Sequence, residues 1–179
     1  MPELPQWASM KVEPKRKFKF ILVLGDVPAW VVKTAGRPTI KVTETKHSWL
    51  GYEFKFPGRV TYDNIEVTLV DPIDPDMSKR VLEIIQEAGY IIPDKWGDTS
   101  PEDYKQTLSK RRFTTGKLRD IKIQSLDSNG RIVEEWVLRN AYLSQLVFDD
   151  LDYSQEELVN IKLTIGFDFA VLNTFPREE

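Results

Sequence analysis

Cysteine is absent from this sequence of 179 residues, and histidine occurs only once. Without cysteine there is no disulfide, no thiolate metal site and no cysteine nucleophile. The single histidine, His47, lies between Lys46 and Ser48, where a surface position in a hairpin is favoured over a catalytic base. These absences favour a protein that is stabilised by packing or by assembly.

A basic excess and a long apolar run are also lacking. Lys and Arg number 25 against 28 Asp and Glu, and this balance does not favour nucleic acid as a bound ligand. The longest apolar run, Phe20 to Leu24, is far shorter than the roughly 20 residues that cross a bilayer. The first residues lack the basic and apolar regions of a secretory signal. We therefore expect no membrane segment and synthesis in a cytoplasm.

Common enzyme signatures are missing as well. The sequence contains no GxGxxG, GxxxxGK[ST], HExxH or GxSxG motif. Asp71, Asp74 and Asp76 resemble a calcium loop only partly, because the glycine and closing glutamate of that loop do not follow. Acidic residues are plentiful, but no spacing singles out the carboxylate pair of a glycoside hydrolase. The sequence predicts a protein that is not an enzyme, with no catalytic, cofactor-binding or metal-binding residue.

The residues that are present suit one globular domain. Hydrophobic residues make up 41% of the chain and charged residues 30%, which is typical of a protein with a real core. Three prolines within residues 1–16 predict an extended amino-terminal arm. We expect a single domain over residues 17–172 and a short tail over 173–179.

Alternating apolar and polar residues predict antiparallel strands along most of the domain. The predicted strands are Phe18–Leu24, Thr39–Thr45, Tyr52–Phe56, Asn64–Val70, a strand containing Ile121 and Ile123, Arg131–Arg139 and Val159–Phe169. The first is expected to have its later half buried on both faces. The second and third form a hairpin that Pro57-Gly58 ends, and Asn129-Gly130 fits the positive backbone angles of a hairpin turn. In the last strand, odd-numbered side chains face the core and polar Asn160 and Thr164 face away.

One α-helix is predicted after the fourth strand. Asp74 is the expected N-cap, Pro75 the first helical residue, and Asp76 a favourable charge for the helix dipole. Gly89 supplies the left-handed stop. Apolar residues fall on one stripe at helical spacing and predict a helix lying on a sheet: Met77, Val81, Ile84, Ile85 and Ala88.

The segment 90–119 shows no regular pattern apart from a possible short helix over Pro101–Leu108. A loop of this length is usually functional or mobile, so we expect it at an interface. Strands with one capped helix and no βαβ alternation predict a mainly β fold, an antiparallel β sandwich or barrel with one flanking α-helix.

Aromatic residues offer two interpretations. Trp30, Trp49, Trp96, Trp136 and Tyr153 resemble the stacking platforms of single-strand binders, but such sites also need a basic groove, which the balanced charge does not indicate. Packing in the core or at an interface is favoured. Trp30 and Trp49 fall in loops or at strand ends and are therefore assigned to subunit contacts.

Three segments, in their order along the chain, resemble the tail tube proteins of contractile-tailed, myovirus-type phages. The first is Gly58–Leu69, in which threonine, an aromatic residue and aspartate precede an alternating strand. The second is the capped helix from Asp74 to Tyr90. The third runs from Gly130 through Trp136, Asn140-Ala141-Tyr142 and Leu151-Asp152-Tyr153 into the long final strand. The resemblance covers residues 18–172, although the segment 90–119 is longer than in compact family members.

This resemblance implies a non-enzymatic β sandwich that forms hexameric rings, which stack into a hollow tube for genome delivery while an outer sheath contracts. Its implied partners are further copies of itself and the sheath, tape-measure and baseplate proteins. DNA would pass through the channel without specific binding, which a net acidic subunit suits. The implied location is the tail of the virion, assembled in the host cytoplasm.

Ring assembly needs unlike surfaces that meet. The sequence offers two basic segments and one acidic turn as candidates: Lys15-Arg16-Lys17, Lys110-Arg111-Arg112, and Asp149, Asp150 and Asp152. We expect the basic segments to meet the acidic turn, or the tail Glu178-Glu179, of neighbouring subunits.

Three alternatives remain open at this point. The chain also fits the tube of a contractile injection or secretion system or of a tailocin, and it fits a baseplate protein that initiates a tube. Outside this class, it fits a monomeric ligand-binding β sandwich that uses its exposed tryptophans.

Overall fold

The computed structural model describes residues 13–92, 107–119 and 121–175. In these ranges the chain forms two four-stranded antiparallel sheets and a separate two-stranded hairpin. The first sheet contains, in spatial order, β1 (Phe20–Val23), β6 (Ile121–Leu126), β7 (Ile132–Arg139) and β10 (Phe169–Thr174). The second sheet contains β2 (Val32–Ala35), β5 (Ile65–Val70), β9 (Asn160–Gly166) and β8 (Tyr142–Phe148). The predicted mainly β fold class is confirmed.

The core lies between the two sheets and beneath a helix, α1 (Met77–Glu87). Residues from both sheets and from α1 form one buried apolar cluster, which includes Leu22, Ile121, Ile123 and Leu138, then Val67, Leu69, Ile161, Leu163 and Ile165, and finally Met77, Val81 and Ile84. Burying one such side chain fully contributes about 1.5–3 kcal/mol. The sandwich therefore has a substantial core of its own.

Strands β5 and β9 form the centre of the second sheet. Ile161 lies opposite Leu69 and Leu163 opposite Val67, and all four side chains are buried. The expected burial of odd-numbered residues in β9 is thus confirmed for these positions. Val159 lies before the strand and is exposed.

The predicted final strand Val159–Phe169 is wrong in its extent. The chain leaves the second sheet after Gly166, and Asp168 donates its backbone N–H to the carbonyl of Arg139 before β10 begins in the first sheet. Phe169 is therefore exposed instead of buried. β10 runs to Thr174, beyond the expected domain boundary at residue 172. Strands β2, β8 and β10 were not predicted.

Helix α1 begins later than predicted. Its N-cap is Asp76, which accepts a hydrogen bond from the Lys79 N–H at 2.9 Å, while Asp74 precedes the cis Pro75. The carboxylate of Asp71 accepts further bonds from the N–H groups of Met77 and Ser78, each at 3.2 Å. Two carboxylates thus satisfy the first free N–H groups of the helix. The predicted apolar stripe is confirmed, and Gly89 has the predicted left-handed φ of 113°.

The segment 90–119 contains a helix that the sequence did not predict, α2 (Lys110–Thr115). Phe113 and Leu118 are buried in the core, and the Ser109 N–H donates to the carbonyl of Ala88. Residues 107–119 therefore belong to the domain. The predicted helix Pro101–Leu108 lies mostly outside the described residues. Neither α1 nor α2 is long and apolar enough to cross a membrane, and no other α-helix is described.

The predicted hairpin is confirmed and is much longer than expected. It consists of β3 (Ile40–Trp49) and β4 (Tyr52–Tyr62). Pro57-Gly58 does not end the strand, because it lies at an irregularity where the register shifts between Val42 and Glu44. A side chain at Gly58 would lie 2.4 Å from the Thr43 hydroxyl, so glycine is required there. Proline and glycine are tolerated at such irregularities in strands with an open edge.

Two smaller expectations are also wrong. In β1 only Leu22 is fully buried, and Val23 is exposed, so the strand is not covered on both faces. In the turn between β6 and β7, Gly130 has a positive φ of 78° but Asn129 does not. The turn is instead closed by the carboxylate of Asp127, which accepts from the N–H groups of Asn129 and Arg131 at 2.8 and 2.9 Å.

Candidate assembly surface

The β3–β4 hairpin has one aromatic face that no described part of the chain covers. Residues paired across the strands point to the same face, so Trp49 and Tyr52 lie together, as do His47 and Phe54. Phe56, opposite Thr45, continues this face two residues further along. The four aromatic side chains are 48% to 72% exposed. Contiguous apolar patches on a soluble protein usually mark contact surfaces.

The opposite face of the hairpin is charged. Lys46 forms an ion pair with Glu53 at 2.6 Å, and Lys55 pairs with Glu44 at 3.6 Å. All four residues are exposed, so each pair contributes at most about 1 kcal/mol. This face is suited to water, whereas the aromatic face is suited to a protein surface.

The tip of the hairpin is a two-residue turn, Leu50-Gly51, with positive φ angles of 47° and 81°. Such a turn matches the twist of paired strands, and asparagine or glycine is the usual residue at its first position. Leucine in this conformation is strained by about 1–2 kcal/mol. Leu50 is nevertheless 76% exposed, so burial within the subunit does not compensate the strain.

The amino-terminal basic segment lies against the first sheet. Lys15 forms an ion pair with Glu134 of β7, and Arg37 contacts the other carboxylate oxygen of that glutamate at 2.5 Å. The Trp136 indole N–H donates to the same oxygen at 2.8 Å. Glu134 is buried, and sequence reasoning missed it because a glutamate in a strand gives no sign of burial. Arg16 and Lys17 are exposed, and residues 1–12 of the expected arm lie outside the described residues.

The acidic turn after β8 is held mainly by its own hydrogen bonds. Asp149 accepts from Lys162 and from Asn160, each at 2.9 Å, and the bond from Lys162 is the main reason that the pKa of Asp149 is lowered. Asp152 accepts from the N–H of Ser154 at 2.9 Å, which lowers its pKa. Asp150 is exposed. Asp149 is thus already partnered within the subunit.

The second basic segment lies at the start of α2. Lys110 lies 2.5 Å from the Asp168 carboxylate and 5.5 Å from the centre of the Tyr142 ring. The ammonium group holds the pKa of Asp168 below its ordinary value. Arg111 and Arg112 are exposed residues of the same helix.

The predicted interface residues therefore fall in different places. Lys15, Arg16, Lys17 and Trp30 line one groove, and Trp30, on a short 3-10 helix at Ala29–Val31, is exposed. Asp149, Asp150 and Asp152 lie together elsewhere, and Trp49 lies at the hairpin tip. Trp136 is half-buried, whereas Trp96 and the tail Glu178-Glu179 lie outside the described residues.

The possible metal ligands in the described part of the chain are its acidic and histidine side chains. No group of three or more His, Cys, Asp or Glu side chains in that part could hold a metal ion. His47 lies on the exposed hairpin opposite Phe54, as the sequence predicted for a surface histidine. Asp71 and Asp76 cap α1.

Comparison with known proteins gives a result in structure but not in sequence. No family model matches the chain, and no curated protein matches it. A chain of the anti-feeding prophage tube-terminating cap is similar in structure, with a TM-score of 0.63 at 19% identity over 95% of this chain and 98% of that chain. A chain of the PVC extracellular contractile injection system, from its sheath/tube terminator, has a TM-score of 0.59 at 18% identity over 92% and 99%.

A tail tube is a third protein with a similar structure. The SPP1 tail tube has a TM-score of 0.52 at 14% identity over 90% of this chain and 80% of that chain. All three similarities extend over at least 90% of this chain. The chain therefore has a tail-tube-type fold, in agreement with the resemblance noted in its sequence.

Proposed function

We propose that this chain is a structural subunit of the tube of a contractile tail or injection machine, and that it assembles into hexameric rings that stack around a channel. The tube would conduct the genome in a phage tail, or protein cargo in an injection system or tailocin. Sheath, tape-measure and baseplate proteins are the partners that such a tube requires. In this role the chain performs no catalysis.

The uncovered aromatic face of the hairpin is the observation that carries this proposal. A two-stranded ribbon is marginally stable by itself in water. Within the described part of the chain, β3 and β4 pair only with each other, and their residues from Ile40 to Thr61 are exposed. A second copy of the chain that covered this face would give the ribbon the missing layer.

Coverage of this face by another copy would favour assembly, because it removes apolar surface from water. Each fully buried large apolar side chain contributes about 1.5–3 kcal/mol. Trp49, Tyr52, Phe54 and Phe56 offer four such side chains on one face, with Leu50 at the tip. In a closed ring or a stack this contact is repeated in every subunit, so a modest affinity per contact supports a stable assembly.

The proposal is tested by removing the aromatic face without disturbing the sandwich. Trp49→Ala/Phe54→Ala should weaken self-association at least tenfold, measured by native mass spectrometry and negative-stain microscopy over a concentration series. Leu82→Ala, at an exposed apolar residue on α1, is the control and should assemble normally. A wild-type protein that stays monomeric at high concentration would refute the tube proposal and favour a monomeric ligand-binding sandwich.

A tube-terminating cap is a second candidate, favoured by the similarity to the two terminator structures. A cap and a tube subunit differ in what happens after the first ring. A tube subunit continues to stack into tubes of increasing length, whereas a cap stops at a single ring. Micrographs of the assembled protein distinguish the two.

A further inference from the structure

A basic groove opens between the edge strands of the two sheets. β1 is an outer strand of the first sheet and β2 is an outer strand of the second, and the groove between them has a volume of about 890 Å³. Six basic residues and no acidic residue line it: Lys15, Arg16, Lys17, Lys19, Lys33 and Arg37. Phe18 and Trp30 add aromatic surface, and they are 70% and 65% exposed.

Most of this positive charge is not neutralised within the subunit. Glu134 binds Lys15 and Arg37, so one carboxylate serves two cations. No ion pair is found for Arg16, Lys17 or Lys33 among the described residues; Lys33 makes only a 3.3 Å contact with the amide oxygen of Asn160. A groove with surplus positive charge and exposed aromatic rings is suited to an acidic segment that also carries apolar side chains.

The chain itself contains a segment with this chemistry, the loop 150–159 that connects β8 to β9. The loop 150–159 follows β8, which is the outer strand farthest from β2, and every residue of the loop is exposed. Asp150, Glu156 and Glu157 are exposed carboxylates of this loop, and Asp150 also interacts electrostatically with Lys162. Leu151 and Tyr153 project from the same loop and are almost completely exposed.

We propose that the loop 150–159 of one subunit docks into the basic groove of the next, and that this contact closes the ring. The inference rests on the proposed function, since it names the lateral contact of that assembly. Groove and loop are different surfaces of the subunit, so the contact is heterologous, and its repetition generates a ring or a helix. Arg16, Lys17 and Lys33 face the carboxylates, while Trp30 and Phe18 receive Leu151 and Tyr153.

The test uses two charge-reversed variants of the full chain. The groove variant is Arg16→Glu/Lys17→Glu/Lys33→Glu, and the loop variant is Asp150→Lys/Glu156→Lys/Glu157→Lys. The groove variant loses the surplus positive charge that attracts the loop, and the loop variant places lysines against the basic groove, so each variant alone should self-associate at least tenfold more weakly than the wild type. An equimolar mixture restores opposite charges at every contact, so oligomers that contain both variants should form. Circular dichroism verifies folding, and Lys79→Glu, at an exposed lysine on α1, is the control.

Native mass spectrometry separates the outcomes. Recovery of mixed oligomers supports the inference. If the wild type assembles and both variants assemble equally well, the lateral contact lies elsewhere, and the proposed function stands while this inference fails. If the wild type does not assemble, both fail. If groove reversal removes binding of a fluorescent single-stranded oligonucleotide but leaves self-association intact, the groove is a nucleic-acid site and the docking proposal is overturned.

Discussion

Strands β9 and β4 share an alternating sequence pattern, but their apolar side chains are buried in β9 and exposed in β4. Both alternate apolar and polar residues, with Ile161, Leu163 and Ile165 in β9 and Tyr52, Phe54 and Phe56 in β4. In β9 the apolar residues are almost fully buried beneath the other sheet and α1, whereas in β4 about half or more of each side chain is exposed. Alternation therefore specifies a strand with an apolar face but not the layer that covers it.

The neighbouring strands explain the difference. β9 lies between β5 and β8 in a four-stranded sheet, and the first sheet packs over it. Among the described residues, β4 pairs with β3 alone. The core thus lies within one chain, whereas the hairpin has an apolar face that no described residue covers. Mutations in β9 should therefore change the folding stability of the subunit, whereas mutations in β4 should change its self-association.

The largest expected effect comes from placing a charge in each strand. Ile161→Asp puts an unpaired carboxylate among buried apolar residues, which costs several kcal/mol, so soluble folded protein should be lost. Phe54→Asp puts the same group on the exposed hairpin and should leave the sandwich folded while assembly is reduced. Solubility and circular dichroism of both variants test the contrast. A folded Ile161→Asp variant would show that β9 is not a core strand.

Much of this architecture is predictable from local pattern. Alternation in β5 and β9 and the apolar stripe of α1 correctly indicated core positions, because a half-buried strand or helix leaves its period in the sequence. The hairpin was predicted too short because Pro57-Gly58 is a common stop signal, and only the partner strand shows that it lies at a register shift.

Other features depend on contacts far apart in sequence. Phe113 and Leu118 lie in a segment without apolar periodicity. They are buried because they pack against core residues that are distant in sequence. The groove could not be predicted, because it exists only where β1 and β2 lie at neighbouring edges of the two sheets. β2 has only four residues and gives little pattern in the sequence. Of the basic residues that line the groove, the sequence pattern singles out only the short run from Lys15 to Lys17.

A smaller effect is expected at Asn160, which the alternation pattern assigned to the polar face. The structure instead buries it, and its amide NH₂ donates to Asp149 and to the Leu158 carbonyl, each at 2.9 Å. Asn160→Ser should lower the free energy of unfolding by about 1–3 kcal/mol, because serine does not reach both acceptors. Thr164→Ser, at a half-buried position of the same strand, should change it by less than about 1 kcal/mol. Equal urea unfolding curves for the two variants would contradict the network at Asn160.

The smallest effect, expected at Leu50, has opposite signs for the subunit and for the assembly. Leucine has a φ of 47° there, a conformation that costs roughly 1–2 kcal/mol and that asparagine adopts more readily. In the monomer, Leu50→Asn should therefore stabilise the hairpin by up to about 1 kcal/mol and slow amide hydrogen exchange in β3 and β4 by up to about fivefold. The same change removes an exposed apolar side chain from the tip, so self-association should weaken.

Gly51→Ala is the control, because it strains the turn at a φ of 81° without removing a leucine, and it should speed exchange. If Leu50→Asn slowed exchange and left assembly unchanged, the tip would lie outside the contact; if it strengthened assembly, the strained leucine would have no role there.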